Sequence, residues 1–385
     1  MSINGKAQIV GIYEHPDRKI VNRTLAQLHA EVARGALADA GLSSSDVDGY
    51  ITDSVAPGLG PLSMIDYLGL DVRYAETTDT GGSSYVNHVA HATQAIMAGK
   101  CNVVLITFAG MPRSGLGGSP PTMGSTPESS FELPYRPITP AQYALCARRH
   151  MHEYGTTSEQ LAWIKVAASH HAQHNRNAVL RDVVTVEDVI ASRMVADPLH
   201  LLDCCVVSDG AGAIIVARPE IARSLSRPGV LVRGAGEFVK TNKGGRVDIT
   251  NTAAAQSGHA AFEEAGVTQA DVKYASIYDS FTITVLLQLE DLGFCPKGEG
   301  GRFVADGNLI SGVGRLPFNT DGGGLCNNHP NNRGGATKVF EAVRQLRREA
   351  HPAVQVPNCD IALVQGMGSQ LATRHSSGTM LLEAI

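Results

Sequence analysis

Residues 78–106 read TDTGGSSYVNHVAHATQAIMAGKCNVVLI, and this stretch decides the fold. Gly81 and Gly82 mark a tight turn. Apolar residues recur at helical spacing from Tyr85 to Met97, and Gly99 stops that helix. Asn102 to Phe108 follows as an apolar run of strand length, which predicts a buried strand. Glycine turn, helix and buried strand in succession predict a layered α/β architecture.

The same grammar extends in both directions. Gln8 to Tyr13 is a predicted strand, Thr24 to Ala40 a helix stopped by Gly41, and Val47 to Ser54 a strand. Residues 110–155 break the rhythm around GGSPPTMGSTPESS (117–130), a stretch expected to be a binding loop or flap. Thr157 to Asn177 is a predicted helix with TTSEQ as its capping segment. Asp209 to Ala217 and Lys273 to Ile277 are predicted strands, with helices at 282–292 and 336–348. Residues 80–97 and 320–347 share the glycine turn and helix, which suggests two similar halves.

Composition narrows the function. The chain has 385 residues, enough for two halves, with 41 glycines and only 5% aromatic residues. Its net charge of −5 and lack of a basic stripe speak against nucleic acid. No run of 18 apolar residues predicts a membrane span, and the start of the chain has no apolar leader, so cytoplasmic residence is expected. The seven cysteines (101, 146, 204, 205, 295, 326 and 359) show no zinc-like repeat, and no metal site is expected. His88 and His91 share a helix face, and His170, His171 and His174 cluster on another helix; hydrogen-bonded or interface roles suit both groups better than metal binding.

Four segments resemble the thiolase superfamily, and especially its sterol-carrier-protein thiolase and lipid-transfer-protein branch. GSSYVNHVAHATQAIMAG (82–99) resembles the nucleophile segment, CSSG followed by a helix ending in AG. Residues 136–178 and 196–217 resemble the branch's central region. YDSF (278–281) stands where the family has HDCF or NEAF, and DGGGLCNNHPNNRGG (321–335) where it has NxxGGxxxxGHPxGxxG. The resemblance implies a thiolase-like five-layer αβαβα sandwich of two similar halves. Their expected extents are 1–229, with a loop excursion at about 110–200, and 230–385. It also implies a homodimer, with the strand near 102–108 or a neighbour continuing or packing the sheet across the two-fold axis.

The departures from the pattern are chemical. The nucleophilic cysteine is replaced by Gly82, which has no side chain to take up an acyl group. The family's His or Asn is Tyr278, the glycine before His-Pro is Asn328, and VQGMGSQ (364–370) lacks a second catalytic cysteine. The chain therefore also resembles the steroid side-chain CoA aldolases, which lack the nucleophile and cleave β-hydroxyacyl-CoA with a small OB-fold/zinc-ribbon partner.

That resemblance implies roles. His329 donates a hydrogen bond to the thioester oxygen. Tyr278 serves as base, acid or donor, and Asp279 orients its surroundings or caps the following helix. His375, in QLATRHSSG (370–378), is a second candidate base. The backbone N–H groups of Gly82 and Gly366 form an oxyanion hole, with Gly82 also leaving room for a bulky β-carbon. Arg148, Arg149 and Lys165 are candidates for coenzyme A phosphates. Coenzyme A is expected as part of the substrate, with no cofactor bound tightly. Three functions stay open: a carbon–carbon lyase of aldolase type, a thiolase-like acyltransferase, and a non-catalytic acyl-CoA- or lipid-binding subunit of a heteromeric complex.

Overall fold

The computed structural model describes residues 2–117, 127, 129–135, 138–241, 243–371 and 373–385. Eleven strands occur among them: β1 (Gln8–Glu14), β2 (Gly49–Thr52), β3 (Tyr74–Thr77), β4 (Val103–Gly110), β5 (Met194–Ala196), β6 (Leu199–His200), β7 (Gly210–Ala217), β8 (Val230–Lys240), β9 (Tyr274–Ile277), β10 (Ile361–Ser369) and β11 (His375–Ala384). β5 and β6 form a small ribbon, and the other nine run in the order β3-β2-β4-β7-β1-β8-β11-β10-β9. β1 and β8 meet in only two registered pairs, Gln8 with Leu231 and Ile9 with Val230, so the sheet has a seam there.

Side-chain alternation builds layers on both sides of each half-sheet. On β4, Val103, Leu105 and Ala109 pack outward with Leu28, Val32 and Ala36 of the helix Leu25–Ala40. Val104, Ile106 and Phe108 face the other way, onto a central apolar layer. That layer holds two helices, Ser84–Met97 and Gly334–Leu346, which contribute Tyr85, Val89 and Ile96 from one and Val339, Phe340 and Val343 from the other. β10 and β11 close it from below with Val364, Met380 and Leu382, while Leu363 and Leu381 face a third cluster. The helices Ala254–Ala265 and Thr282–Asp291 cover that outer face. The result is helix, sheet, helix, sheet, helix: the expected five-layer sandwich of two similar halves.

Local signals explain many boundaries. Thr24 and Gln27 form a capping box, and Gly41 ends the first long helix at φ 70°. Thr157 and Gln160 form another capping box at the start of the helix Ser158–Ala172. That helix stops short of the expected Asn177: His174 N and Asn175 N bond three residues back, to His171 O and Ala172 O, and the Asn175 side-chain amide donates to Asp321 O at 2.9 Å.

Two expectations need correction. The interval 110–155 is not all loop, since Thr139–Tyr154 is a helix whose buried stripe of Tyr143, Cys146, Ala147 and His150 is narrow enough to be hidden by the polar run around it. The central part of GGSPPTMGSTPESS lies outside the described residues. The strand near 102–108 cannot continue a sheet across a two-fold axis either, because both of its edges are paired, to β2 and to β7. Among the described residues, the free edge on that side belongs to β3.

Candidate active site

Tyr278 is the first residue past β9. Its N–H donates to Gln365 O at 3.0 Å, and its C=O accepts from Gln288 Nε2 at 2.7 Å. This fixes the backbone and sends the ring toward Gly82. A Cβ built on Gly82 would lie 2.5 and 2.7 Å from Cε2 and Cζ of Tyr278 and would overlap the Met367 carbonyl oxygen. The place of a thiol is therefore occupied by a tyrosine ring and a strand backbone. The room that Gly82 was expected to leave for a bulky β-carbon is filled for the same reason.

The Tyr278 hydroxyl lies 3.1 Å from His329 Nε2, with the two rings edge to face at 5.5 Å. The His329 ring sits between two glycines: a Cβ on either Gly324 or Gly334 would come within 2.9 Å of its Cδ2. Burial lowers the His329 pKa to about 4, the Asp279 charge opposing and the Lys338 charge assisting. Burial raises the Tyr278 pKa well above 10, with Tyr143, Cys205 and Asp279 acting in the same direction. Both groups are neutral near pH 7.

Asp279 does not cap the helix Thr282–Asp291, whose N-cap is Phe281 with no side-chain bond. Its carboxylate turns to the glycine loop, accepting from Gly324 N at 2.8 Å and Leu325 N at 3.1 Å. Lys338 Nζ reaches it at 2.7 Å, and both partners of this ion pair are fully buried. Asp279 thus anchors the loop that ends in His329.

His375 begins β11. Its Nδ1 lies 3.0 Å from Gly368 O, an acceptor only, so Nδ1 carries the proton and Nε2 is bare. Nε2 is buried without a hydrogen-bond partner among the described residues. Burial lowers this histidine's pKa to about 4. The hairpin turn holds His375; the Tyr278–His329 contact does not include it. Gly366 pairs with Gly378 and packs on Gly82, where an added Cβ would lie 2.9 Å from the Gly82 carbonyl oxygen. Gly82, Tyr278 and His329 are thus brought together, with Gly366 behind Gly82 and Asp279 behind the loop.

Sequence reasoning missed a strap. Cys204 to Ser208 runs extended across the two segments that carry Tyr278 and His329, bridging Cys204 to Phe281. Cys205 N donates to Ser280 O and Val206 N to Gly324 O, each at 2.9 Å. Ser208 then donates to Asn328 Oδ1 at 2.7 Å and accepts from His329 N at 2.8 Å. The available signal was Ser208 and Asp209 closing the apolar run 204–207 just before β7. Lys165 is also misplaced by the sequence reading. It is buried against Leu325 O at 2.7 Å and Cys326 Sγ at 3.1 Å, out of reach of a solvent phosphate. Arg148 pairs with Asp197, and Arg149 with Glu153, on the surface. His91 bridges Glu76 and Glu237, and His171 accepts from Ser311 N at 2.9 Å.

Comparison with known proteins identifies the family. A family model described as thiolase C-terminal domain-like matches residues 236–383. A steroid side-chain-cleaving aldolase of Thermomonospora curvata is 37% identical over 360 residues, 89% of this chain and 90% of its own length. The 17-hydroxy-3-oxo-4-pregnene-20-carboxyl-CoA lyase of Mycobacterium tuberculosis is 36% identical over 370 residues, 90% of this chain and 92% of its own. A solved Ltp2-ChsH2(DUF35) aldolase superposes with a TM-score of 0.89 at 34% identity, covering 99% of this chain and 98% of that one. By its layered fold, its motif order and its similarity to these enzymes along almost the whole chain, this protein belongs to the thiolase superfamily, among its CoA-thioester aldolases.

Proposed function

We propose that the chain is a retro-aldolase that splits the Cα–Cβ bond of a β-hydroxyacyl-CoA into a ketone or aldehyde and a shorter acyl-CoA. One observation carries this reading: the Tyr278 ring, its hydroxyl on His329 Nε2, stands where the family's thiol would be. It offers proton transfer and no nucleophile, which is what a retro-aldol cleavage needs and an acyl transfer does not.

Burial keeps Tyr278 protonated, so it is a relay rather than a resident base. The substrate hydroxyl gives its proton to the Tyr278 oxygen as Tyr278 passes its own to the neutral His329 Nε2. The electrons of the O–H bond form the new carbonyl, and those of the Cα–Cβ bond move onto the thioester as an enolate. The imidazolium of His329 then returns the proton to Cα. The proton that reaches Cα is the one Tyr278 gave up, the substrate's hydroxyl proton stays on Tyr278 in its place, and no oxidant is consumed. This assignment moves His329 from the enolate oxygen to the proton path, because its Nε2 already meets Tyr278. The backbone N–H groups of Gly82 and Gly366 are the donors assigned to the enolate oxygen. His375, with its bare Nε2, is the second candidate acceptor.

Coenzyme A enters as part of the substrate. The working assembly in this reading is a homodimer carrying a small OB-fold/zinc-ribbon subunit. Two features support it: the name of the solved relative couples the aldolase to a DUF35 chain, and β3 leaves one strand edge unpaired. The two halves divide at residues 229 and 230. The test is incubation of the protein, alone and with such a partner, with a β-hydroxyacyl-CoA. Release of a carbonyl compound and a shorter acyl-CoA is expected. A stoichiometric acyl adduct on any cysteine would restore an acyl-transfer reading.

A further inference from the structure

We infer that Ser208 is a positioning residue for His329, and that it holds the imidazole against the Tyr278 hydroxyl. The inference rests on the role proposed above for His329. Ser208 is fully buried, and its hydroxyl is used twice: it accepts the His329 main-chain N–H and donates to Asn328 Oδ1. Asn328 is itself a departure from the family pattern, which has glycine there. Its amide explains the change, because Nδ2 donates to Glu14 Oε1 at 2.9 Å while Oδ1 receives Ser208. Glu14 is in turn held by Arg18 and by Arg344 at 3.0 Å. The loop ahead of His329 is thus pinned from β1 and from the strap at once.

The position matters because the imidazole meets the Tyr278 hydroxyl through Nε2, and that contact needs the His329 backbone held in register with it. The imidazole's Cδ2 edge lies against Gly324 and Gly334, which have no side chains to grip it. The backbone N–H of the residue itself is a fixed point on the His329 side of that contact, and Ser208 supplies its acceptor. A catalytic hydrogen bond displaced by even about 1 Å loses much of its effect. The same strap bonds to Ser280 O and Gly324 O, so Ser208 is referenced to the segment that carries Tyr278.

A double-mutant cycle on the full chain, with its partner if one is needed, tests this. Ser208→Ala should lower kcat about tenfold, the size of one lost hydrogen bond, with KM within about twofold. In a His329→Ala background the same change should cost less than about twofold, because the group it positions is gone. An equal tenfold loss in both backgrounds would overturn the inference and leave Ser208 a general structural residue. A His329→Ala variant with undiminished kcat would instead overturn the role assigned to His329. If Ser208→Ala does not fold, Asn328→Gly strips the other side of the bridge and must show the same dependence on His329. Additivity there would overturn the inference equally.

Discussion

Tyr278 acts through both ends of its side chain: the ring closes the space beside Gly82, and the hydroxyl meets His329 Nε2. Tyr278→Phe keeps the ring and removes the proposed relay. Turnover should fall by about 10² to 10⁴ with substrate affinity nearly unchanged, as read from kcat and KM. Gly82→Cys should not create a thiolase. Its Cβ meets the tyrosine ring and the Met367 carbonyl, and overpacking of this kind costs about 1–3 kcal/mol. A lower melting temperature and no acyl adduct are expected; a stable variant that takes up an acyl group would contradict the geometry. The pH profile reports on the acceptor. Burial holds His329 and His375 each at about 4, so kcat/KM should stay level down to about pH 5 and fall as either ring gains its proton below that. An acid limb near 6.5, the ordinary histidine value, would mean that the base is solvated. The limb that moves in His375→Ala or His329→Ala names the acceptor.

At the scale of elements, the glycine loop and the helix Gly334–Leu346 form one electrostatic unit. Glu341 lies within it, its pKa raised to about 7 by burial and then by Asp321. The folded state therefore holds this proton more tightly than the unfolded chain, whose value is near 4.5. The resulting stabilisation is full below about pH 4.5 and is lost as pH rises toward 7. Glu341→Gln makes the neutral form permanent, and Arg344 keeps Glu14 as a partner. The variant should melt close to wild type at pH 5 and higher than wild type at pH 8; an equal shift at both would show that the carboxylate stays charged. The elements themselves were unevenly legible. Long capped helices could be read locally: Leu25–Ala40 from its apolar period and Ser158–Ala172 from its capping segment and the absence of breakers. β3, exposed on alternate residues, and β8, interrupted by Gly234 and Gly236, carry too little apolar signal to stand out. The glycines of β8 are there because the helix Ala254–Ala265 lies against them, a contact no local window contains. Tyr278 and His329 were legible because each sits in a motif. The filling of the thiol's place was not, because it depends on Gly82, Tyr278 and Met367 meeting from three distant segments.

The whole molecule is tied together at its middle. Gly335 of one central helix approaches the turn before the other so closely that an added Cβ would overlap the Gly82 carbonyl oxygen. The central apolar cluster takes residues from Ile3 to Leu382, nearly the full span of the chain. This has a consequence for synthesis. Contacts of such high sequence separation form late, after the entropy of closing long loops has been met. On the ribosome, the inner faces of β4, β7 and the helix Ser84–Met97 emerge long before the strands and helix that cover them. A chain ended just before β8 should therefore be made but stay sticky: it should bind a hydrophobic dye, associate with chaperones and precipitate at micromolar concentration. A soluble, protease-resistant fragment of that length would show that the first half closes its own interior. Otherwise the nascent chain depends on being shielded until its last strand has left the tunnel.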